Sequence, residues 1–432
     1  MTLEAAGHYI FPAEFEPQEC VWLSWLHTRK EFLQGRPMQP VLLDMMEALL
    51  PFVKVAVIVN DDAEKQQIQT ALQERHPSSA ASVAKLQFHL VKHLEIWMRD
   101  FGPIFLKSST DPSLPLKVAV FRWNIWGWLD NLLPTVVPPE EIAELIAEGE
   151  VSRRVAHALS LATVDADFGG NREFNGRGTL MVTEAVELQR NPDLTKEHLT
   201  EHFKSLFDVR KVIWLKQGVA EDDHIFRGPL PGGVFNMPCT GGHVDEYARF
   251  VNPTTVLLAE DRDHPIGRLS HQRMEENYRI LAGETDQDGH PFTIVRIPLP
   301  PVDVIKVKPA DPLFGDYSAV AFSSGKTFEQ LLEELHPDYV AGGGSQDDLR
   351  AIEAVVPGSY CNFVISNGVV LMPRYHAEGR DEAVKRTDDA ARDILQSVFP
   401  DRKIVQIDCE NINFGGGGMH CVTQQQPAIT DQ

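Results

Sequence analysis

The chain has 432 residues, of which 43% are hydrophobic, and its 62 acidic and 40 basic residues give a formal net charge of −22. This composition allows an ample buried core. The negative charge disfavours binding to nucleic acid and anionic membranes and favours small cationic ligands, although it also serves solubility. Five scattered cysteines suggest neither a disulfide framework nor a metal site, and no signal peptide or membrane-spanning run is present, so we expect a cytoplasmic protein.

Short apolar strands alternate with amphipathic helices along the chain, and no low-complexity linker separates them. Runs of β-branched and aromatic residues predict strands at Cys20–Trp25, Val53–Val59, Leu86–Leu90, Val118–Arg122, Thr179–Thr183, Lys211–Leu215, Thr255–Ala259, Phe292–Ile297, Ser359–Ile365, Val369–Met372 and Lys403–Ile407. Helical periodicity predicts helices at Pro40–Leu50, Asp62–Arg75, Pro139–Glu148, Thr195–Phe207, Leu269–Leu281, Thr327–Leu335 and Asp381–Val398. The sequence therefore predicts a mixed α/β protein.

Polar turns that lead directly into an apolar strand recur along the chain. Examples are Asn175–Gly178, Asn252–Pro253 and Asn367–Gly368. Such repetition indicates several similar ββα-type modules, each presenting a polar segment toward a common centre. The spacing is irregular, so the repetition alone favours a propeller over an open sheet only weakly.

The segment Trp97–Pro103 places an aspartate just before a Gly-Pro turn. The Asp100 carboxylate can accept a pair of hydrogen bonds from a planar guanidinium or amidinium, and Trp97 offers its ring face to a cation. In an extended chain these two side chains point to opposite faces, so a shared site requires a bend. The alternative is a structural ion pair of Arg99 and Asp100 beside the turn.

The segment Asp167–Gly178 is rich in glycine, but its spacing fits neither the dinucleotide fingerprint nor the P-loop. We interpret it as a turn that brings Asn171 into a pocket, with a plain hairpin as the alternative. In Tyr360–Phe363, Asn362 at the start of a predicted strand would orient a ligand by hydrogen bonding.

The segment Gly241–Tyr247 places His243 and Asp245 two residues apart. If the segment is extended, both side chains lie on one face and reach the same ligand. The histidine would then move protons while the aspartate holds a cation. A structural pair and half of a metal site are the alternatives, but no further ligands accompany the pair at a telling spacing.

The C-terminal segment Phe414–Pro427 carries Cys421 at the end of a glycine run. In such a loop, substrate and bare backbone N–H groups both approach the sulfur closely, which is how a thiolate is positioned. Alone, the residue would be interpreted as a buried structural cysteine. The other motifs reverse that preference, and we interpret Cys421 as a nucleophile.

Together these segments resemble the agmatine deiminase and bacterial (Porphyromonas-type) peptidylarginine deiminase family of the guanidino-group-modifying superfamily. Phe11–Trp25 resembles the family's opening, and the motifs W-x-R-D-x-G-P, G-H-x-D and G-G-x-H-C-x-T-Q-Q-x-P follow in order at Trp97–Pro103, Gly242–Asp245 and Gly417–Pro427. The resemblance implies a fivefold pseudosymmetric α/β propeller of ββαβ modules, as one domain over residues 1–432. It also implies hydrolytic deimination without a metal or an organic cofactor.

The resemblance further implies Cys421 as the nucleophile, His243 as the acid and base, Asp100 and Asp245 as guanidinium anchors, and Asn362 as a pocket residue. Two carboxylates would hold the guanidinium planar while a thiolate attacks its central carbon. The histidine would protonate the departing ammonia and then activate water. A bound cation and His243 would also favour the thiolate.

Two departures from the family's pattern bear on the substrate. Phe168–Asn171 stands where many agmatine deiminases carry E-G-G, so an acidic residue that would support the histidine is missing, and the G-G-N form is closer to the peptidylarginine type. Phe121–Trp128 matches the family's F-N-x-W-G segment only in part. We include Arg122 and Trp126 with the substrate-binding candidates. Arg122 would pair with a substrate carboxylate. The equal alternative is that Arg122 is an outward-facing strand residue.

The sequence thus predicts a guanidine deiminase that converts agmatine to N-carbamoylputrescine and ammonia through a thiouronium adduct on Cys421. Deimination of free or peptidyl arginine is the nearest alternative. A propeller that binds a guanidine or a polyamine without turnover, and a papain-like protease or amidotransferase, are the alternatives from other classes. The expected partner is a small cationic guanidine, and a homodimer is an expectation from the family alone.

Overall fold

The computed structural model describes residues 8–25, 31–32, 36–75, 84–129, 137–166, 171–260, 264–335 and 351–429. Its strands in chain order are β1 (Tyr9–Ile10), β2 (Gln18–Ser24), β3 (Glu31–Phe32), β4 (Arg36–Pro37), β5 (Lys54–Val59), β6 (Leu86–Leu90), β7 (Ile104–Ser108), β8 (Lys117–Phe121), β9 (Ala162–Ala166), β10 (Glu173–Phe174), β11 (Thr179–Thr183), β12 (Lys211–Leu215), β13 (Phe235–Asn236), β14 (Ala248–Asn252), β15 (Thr255–Glu260), β16 (Thr293–Pro298), β17 (Asp303–Val307), β18 (Ile352–Val356), β19 (Val364–Ser366), β20 (Val369–Arg374), β21 (Lys403–Asp408) and β22 (Gln424–Pro427).

The helices in the same ranges are α1 (Gln39–Leu49), α2 (Asp62–Arg75), α3 (Met98–Phe101), α4 (Pro139–Ala147), α5 (Val151–Ala158), α6 (Glu184–Arg190), α7 (Lys196–Phe207), α8 (Pro265–Gly283), α9 (Pro312–Ala319), α10 (Phe328–Leu335), α11 (Glu382–Val398) and α12 (Glu410–Asn413). Within these ranges, no helix has both the length and the apolar character to cross a lipid bilayer. The predicted mixed α/β class is confirmed.

Among the described strands, five sheets share one connectivity. A middle strand pairs antiparallel on one side and, on the other side, parallel with a strand that follows it in the chain. The trios are β22-β2-β5, β7-β8-β9, β10-β11-β12, β14-β15-β16 and β19-β20-β21. In each trio the chain reaches the parallel strand through helices: α1, α4 with α5, α6 with α7, α8, and α11. This repeat agrees with the predicted ββα-type modules.

Two sheets have features that the other sheets do not share. The C-terminal strand β22 pairs with β2, so the end of the chain completes the sheet begun at its start. The order β13-β18-β17 forms a further three-stranded sheet, and α9 and α10 pack there around an apolar cluster with Phe235, Tyr317 and Phe328. Burial of such apolar side chains is the main stabilising contribution to the fold.

The sequence predictions are accurate for several strands and helices. The predicted bounds Leu86–Leu90, Thr179–Thr183, Lys211–Leu215 and Asp62–Arg75 match the structure residue for residue. Asp381 caps α11 by accepting a hydrogen bond from the backbone N–H two residues ahead, as its position before the helix predicts. Short or partly exposed elements, such as β9 and α6, carried no sufficient pattern and were not predicted.

The strand predicted over Ser359–Ile365 is wrong for its first five residues, because β19 begins only at Val364. The Ser359 hydroxyl oxygen accepts a hydrogen bond from the Cys361 N–H at 3.0 Å and holds the chain in a turn. Serine side chains compete with strand pairing in this way. The turn places Asn362, which follows it, at the candidate site.

Candidate active site

Cys421 lies at the end of a glycine loop that packs tightly against its neighbours. A Cβ atom on Gly416, whose φ is +92°, would lie 1.9 Å from the Pro238 carbonyl oxygen, and one on Gly417 would lie 2.6 Å from the Trp97 ring. Only glycine fits at both positions. The loop brings Cys421 into the interior, where the residue is 1% exposed.

The segment that carries Asp100 contains the bend that a shared site requires. Its residues form the single turn α3, in which the Asp100 N–H donates to the Trp97 carbonyl at 2.9 Å. The Arg99 N–H donates to the Cys421 carbonyl at 3.0 Å and joins this turn to the glycine loop. The Trp97 ring packs edge to face against Trp126, with centroids 6.4 Å apart.

His243 and Asp245 share a site, but the predicted extended geometry is wrong. Val244–Glu246 forms a 3₁₀ turn, and the two side chains meet because of this turn. The His243 Nδ1 lies 3.8 Å from Asp100 Oδ1 and 3.9 Å from Asp245 Oδ1. A single ring nitrogen therefore faces both predicted anchors.

Two buried side chains hold the His243 segment in place. The Asp222 carboxylate accepts hydrogen bonds from the N–H groups of Gly242 and His243, both at 3.0 Å. The Asn171 side-chain oxygen Oδ1 accepts from the Val244 N–H at 2.8 Å, and its side-chain NH₂ group donates to other protein oxygens. Asn171 thus supports the site, and its contact with substrate stays a prediction. Residues 167–170 of the same motif lie outside the described residues.

Two buried carboxylate oxygens at this site have no donor. Asp100 Oδ1 and Asp245 Oδ1 make no hydrogen bond within the described part of the chain. The Trp126 indole N–H lies near enough to Asp100 to lower its pKa as a hydrogen-bond donor, but it completes no hydrogen bond of ordinary geometry. Buried acceptors without donors are costly, and a planar cation with several N–H groups would satisfy both.

The thiol of Cys421 lies beside the same carboxylates. Its Sγ is 3.9 Å from Asp245 Oδ2 and 3.7 Å from Glu246 Oε1. The Asn362 amide lies 3.4 Å from Sγ and donates to Glu246 at 2.7 Å, while its carbonyl accepts from the His420 N–H at 2.8 Å. The structure therefore brings together Cys421, His243, Asp100, Asp245, Asn362, Trp97 and Trp126 from distant parts of the chain.

Arg122 lies apart from these contacts. It is an exposed residue directly after β8, and its backbone N–H donates to the Ala166 carbonyl at 3.0 Å. This placement favours the outward-facing alternative for Arg122.

Several side chains at the site were not predicted from the sequence: Glu246 and Asp222, described above, and His420, Glu14 and Arg190. The His420 ring bridges Asp245 Oδ2 at 2.6 Å and Glu14 Oε2 at 2.8 Å. An Arg190 guanidinium nitrogen lies 2.6 Å from His243 Nε2. His420 and Glu14 lie inside motifs that the sequence analysis identified, but no catalytic or binding role was predicted for either residue. Nothing in the local sequence distinguishes Arg190 from an ordinary arginine at a helix end.

The protonation states follow from burial and from the neighbouring charges. Burial, with the charges of Asp245 and Glu246, raises the pKa of the Cys421 thiol well above its usual value. Burial and then the charge of Arg190 lower the pKa of His243 to about 3. In the free protein the thiol is therefore protonated and the ring uncharged, so His243 does not favour a thiolate there as the sequence had suggested.

A cavity of about 30 Å³ adjoins the site and is bordered by His243, Asp245, His420 and Gln424 among its lining residues. This volume and these polar groups suit a single water molecule. Within the described residues, no group of three or more His, Cys, Asp and Glu side chains has the arrangement of a metal site.

Comparison with known proteins agrees with this geometry. A family model described as Porphyromonas-type peptidyl-arginine deiminase matches residues 10–427. The chain belongs to this family. It is 28% identical to the agmatine deiminase of Pseudomonas syringae pv. tomato, with 99% of this chain and 97% of that protein covered. The resemblance inferred from the motifs is confirmed.

Solved structures of this deiminase family share the fold. The agmatine deiminase of Enterococcus faecalis superposes with a TM-score of 0.70 at 23% identity, covering 100% of this chain and 99% of that chain. A C. jejuni agmatine deiminase with substrate bound superposes with a TM-score of 0.63 at 19% identity, covering 99% of each chain. The α/β fold of this family member is therefore that of the agmatine deiminases.

Proposed function

We propose that this protein is an agmatine deiminase, a hydrolase of a C–N bond in a linear amidine, which forms N-carbamoylputrescine and ammonia. The observation that carries the proposal is the pair of buried oxygens, Asp100 Oδ1 and Asp245 Oδ1, that face His243 without a donor. Cys421 Sγ lies 3.9 Å from the other oxygen of Asp245. The name of the Pseudomonas syringae relative supports agmatine as the substrate.

In the first half of the proposed reaction, the substrate guanidinium binds between Asp100 and Asp245 and donates N–H groups to their free oxygens. Its positive charge offsets the carboxylates that keep the Cys421 thiol protonated, so the thiol loses its proton more easily, and His243 takes up that proton. The sulfur adds to the central carbon and a C–S bond forms. One C–N bond then breaks, and the nitrogen leaves as ammonia after His243 delivers a proton to it.

In the second half, water adds to the central carbon of the thiouronium while His243 removes one of its protons. The C–S bond breaks, the sulfur takes up a proton, and the ureido product leaves. The sum is guanidinium plus water to a urea plus ammonium, so charge and atoms balance. The water-sized cavity that borders His243 and Asp245 is large enough to hold this water molecule.

For the fold, we propose that the five repeated sheet modules surround a common centre as a fivefold propeller of one domain. Their shared connectivity and the closing pair of β22 with β2 support this arrangement. The placement of site residues in segments from several modules is consistent with it. A homodimer and a cytoplasmic location stay predictions from the family and the composition.

Arginine and peptidylarginine are the competing substrates. Both would place a carboxylate or a peptide group beyond the guanidine, for which Arg122 was the candidate partner. The exposed position of Arg122 weakens that role. A guanidine-binding protein without turnover has no need of a thiol beside the anchors.

The function is tested by ureido-product formation, measured by mass spectrometry with agmatine, arginine, guanidinobutyrate and an arginyl peptide. We expect turnover of agmatine, and a loss on the order of 10⁴-fold or more in Cys421→Ala, because the nucleophile is removed. Cys20→Ala, which removes a buried thiol in β2, serves as the matched control and should retain activity.

Acid quenching during turnover should also trap a covalent adduct on Cys421. Turnover of arginine or of the peptide without agmatine would overturn the proposed substrate. Saturable guanidine binding with no product would favour the non-catalytic alternative.

A further inference from the structure

Arg190, the last residue of α6, makes a direct contact with the candidate acid and base. It is 8% exposed, and one guanidinium nitrogen lies 2.6 Å from His243 Nε2 and 3.0 Å from the Thr240 carbonyl oxygen. A guanidinium carries donors and no acceptor. The His243 Nε2 must therefore accept this hydrogen bond and cannot carry a proton of its own.

We propose that Arg190 is a positioning residue that holds the His243 ring uncharged with its proton on Nδ1, and that its hydrogen bond must break before the ring can take up a second proton. Nδ1 is the nitrogen that faces Asp100 and Asp245. The catalytic meaning of this inference rests on the proposed function, whereas the ring state is measurable without it.

The surroundings of the ring support this assignment. Besides each other, His243 and Arg190 have Asp100, Arg172, Glu187, Asp222, His224, Asp245 and His420 among the charged and titratable groups around them. Burial and Arg190 are the largest influences that lower the pKa of His243, and they outweigh the opposing charge of Asp245. Arg190 acts in two ways, because its charge disfavours a second cation and its N–H occupies the lone pair that would receive the proton.

The contact also links substrate binding to proton transfer. A substrate guanidinium between Asp100 and Asp245 would add a second cation near Arg190. The two cations compete for the same carboxylates and repel each other, which weakens the bond from Arg190 to His243. The ring would then be free to exchange protons only when substrate is present. In the absence of substrate, Nδ1–H is available to donate but not to accept.

The test is nitrogen NMR of the whole protein with ¹⁵N-labelled histidine, in which the His243 signals are identified by their loss in His243→Asn. For the wild type we expect a protonated Nδ1 and a bare Nε2 down to the lowest pH at which the protein stays folded. In Arg190→Met, the fixed tautomer should be lost, and the ring should take up a proton closer to the ordinary histidine pKa of about 6.5. Arg190→Lys, which keeps charge and donor, should restore the wild-type state.

Arg172→Met is the matched control, because it removes another arginine near His243, half-buried and stacked 4.1 Å from the Phe121 ring centroid, and leaves Arg190 in place. It should keep the wild-type tautomer. A proton on Nε2 in the wild type, or an unchanged tautomer in Arg190→Met, would overturn the inference, as would the same tautomer change in Arg172→Met. Should Arg190→Met fail to fold, Arg190→Gln is measured in its place.

Product formation from agmatine is assayed on the same samples. Absent turnover with the expected ring state would count against the proposed function alone. Turnover with the opposite ring state would count against the inference alone.

Discussion

Asp100 and Asp245 face the same nitrogen of His243, yet their surroundings push their pKa values in opposite directions. Burial raises the pKa of Asp100 to about 7, and the charge of Asp245 adds to this rise. Burial also acts to raise the pKa of Asp245, but the hydrogen bond and charge of His420 outweigh it and hold the pKa below its usual range. The free protein thus holds one firmly ionised anchor and one that titrates near neutrality.

The first prediction at the residue scale is an acid limb in the pH profile. Below about pH 7, Asp100 in the free protein is protonated, and a cationic substrate must displace that proton to bind. We expect kcat/KM for agmatine to rise through about pH 7 and then to level off at this group, as measured by steady-state kinetics from pH 5 to 9. Asp100→Asn should lose most activity and this limb. A limb centred near pH 4 would contradict the raised pKa.

The second residue-scale prediction concerns His420, which bridges Glu14 and Asp245. His420→Asn removes both hydrogen bonds, so Asp245 should ionise less readily and its orientation should loosen. We expect kcat/KM for agmatine to fall by about tenfold or more, which corresponds to the ~1–3 kcal/mol of a buried polar contact left unmade. His290→Asn is the control, since the His290 side chain is 70% exposed, and should leave kcat/KM unchanged. Equal rates for the two variants would rule out a positioning role for His420.

At the scale of elements, the candidate site is built from turns that follow or precede strands. Asp100 lies on the single turn α3, His243 directly precedes the 3₁₀ turn that contains Asp245, and Asn362 follows a turn before β19. In a straight strand, two residues that are three positions apart, such as Trp97 and Asp100, point to opposite faces. A short turn can direct both side chains to the same side. The strands supply the rigid frame that these turns need.

The element-scale prediction tests the glycine loop. A Cβ atom on Gly418 would lie 2.3 Å from the side-chain oxygen of Asn362, which must then move away from the thiol. We therefore expect Gly418→Ala to lower kcat for agmatine about tenfold or more, in line with the cost of misplacing a catalytic group. In Gly283→Ala, nothing lies within 4 Å of the added atom, so this variant should retain wild-type kinetics. Wild-type rates in Gly418→Ala would show that the loop tolerates the shift.

At the scale of the whole molecule, a buried charge network ties distant segments together beneath the site. Arg249 on β14 pairs with Glu14 near the N-terminus and with Glu173 on β10, and its guanidinium also donates to the carbonyls of Cys361 and Phe363. The Arg249 side chain is fully buried. The network therefore joins several modules through one guanidinium.

The whole-molecule prediction is a loss of stability in Arg249→Met. This change leaves Glu14 and Glu173 buried without their cation, so the free energy of unfolding should fall by about 3–5 kcal/mol. Chemical denaturation measures this quantity. The control is Arg374→Met, because among the residues that the structure describes Arg374 makes only an exposed pair with Asp408 at 3.9 Å, and it should change stability by less than about 1 kcal/mol. Similar losses in both variants would argue against a special role for the network.

The sequence by itself determined the α/β class, the family and the set of motifs that meet at the site. These follow from local patterns, such as the capped helix α11, the fully buried strand β11 and the glycine run before Cys421. It could not place Arg122, whose side chain suited either face, nor the first residues of Ser359–Ile365, where a hydroxyl bond overrides strand propensity.

Only the tertiary structure decided how the site is charged. Arg190, His420 and Glu14 become site residues only through folding. It brings Arg190 within hydrogen-bonding distance of His243, His420 within that distance of Asp245, and Glu14 within that distance of His420. The same packing removes water, raises the pKa of Asp100 and lowers that of His243. Electrostatic interactions depend on distance and on burial, and neither quantity is encoded in the local sequence pattern.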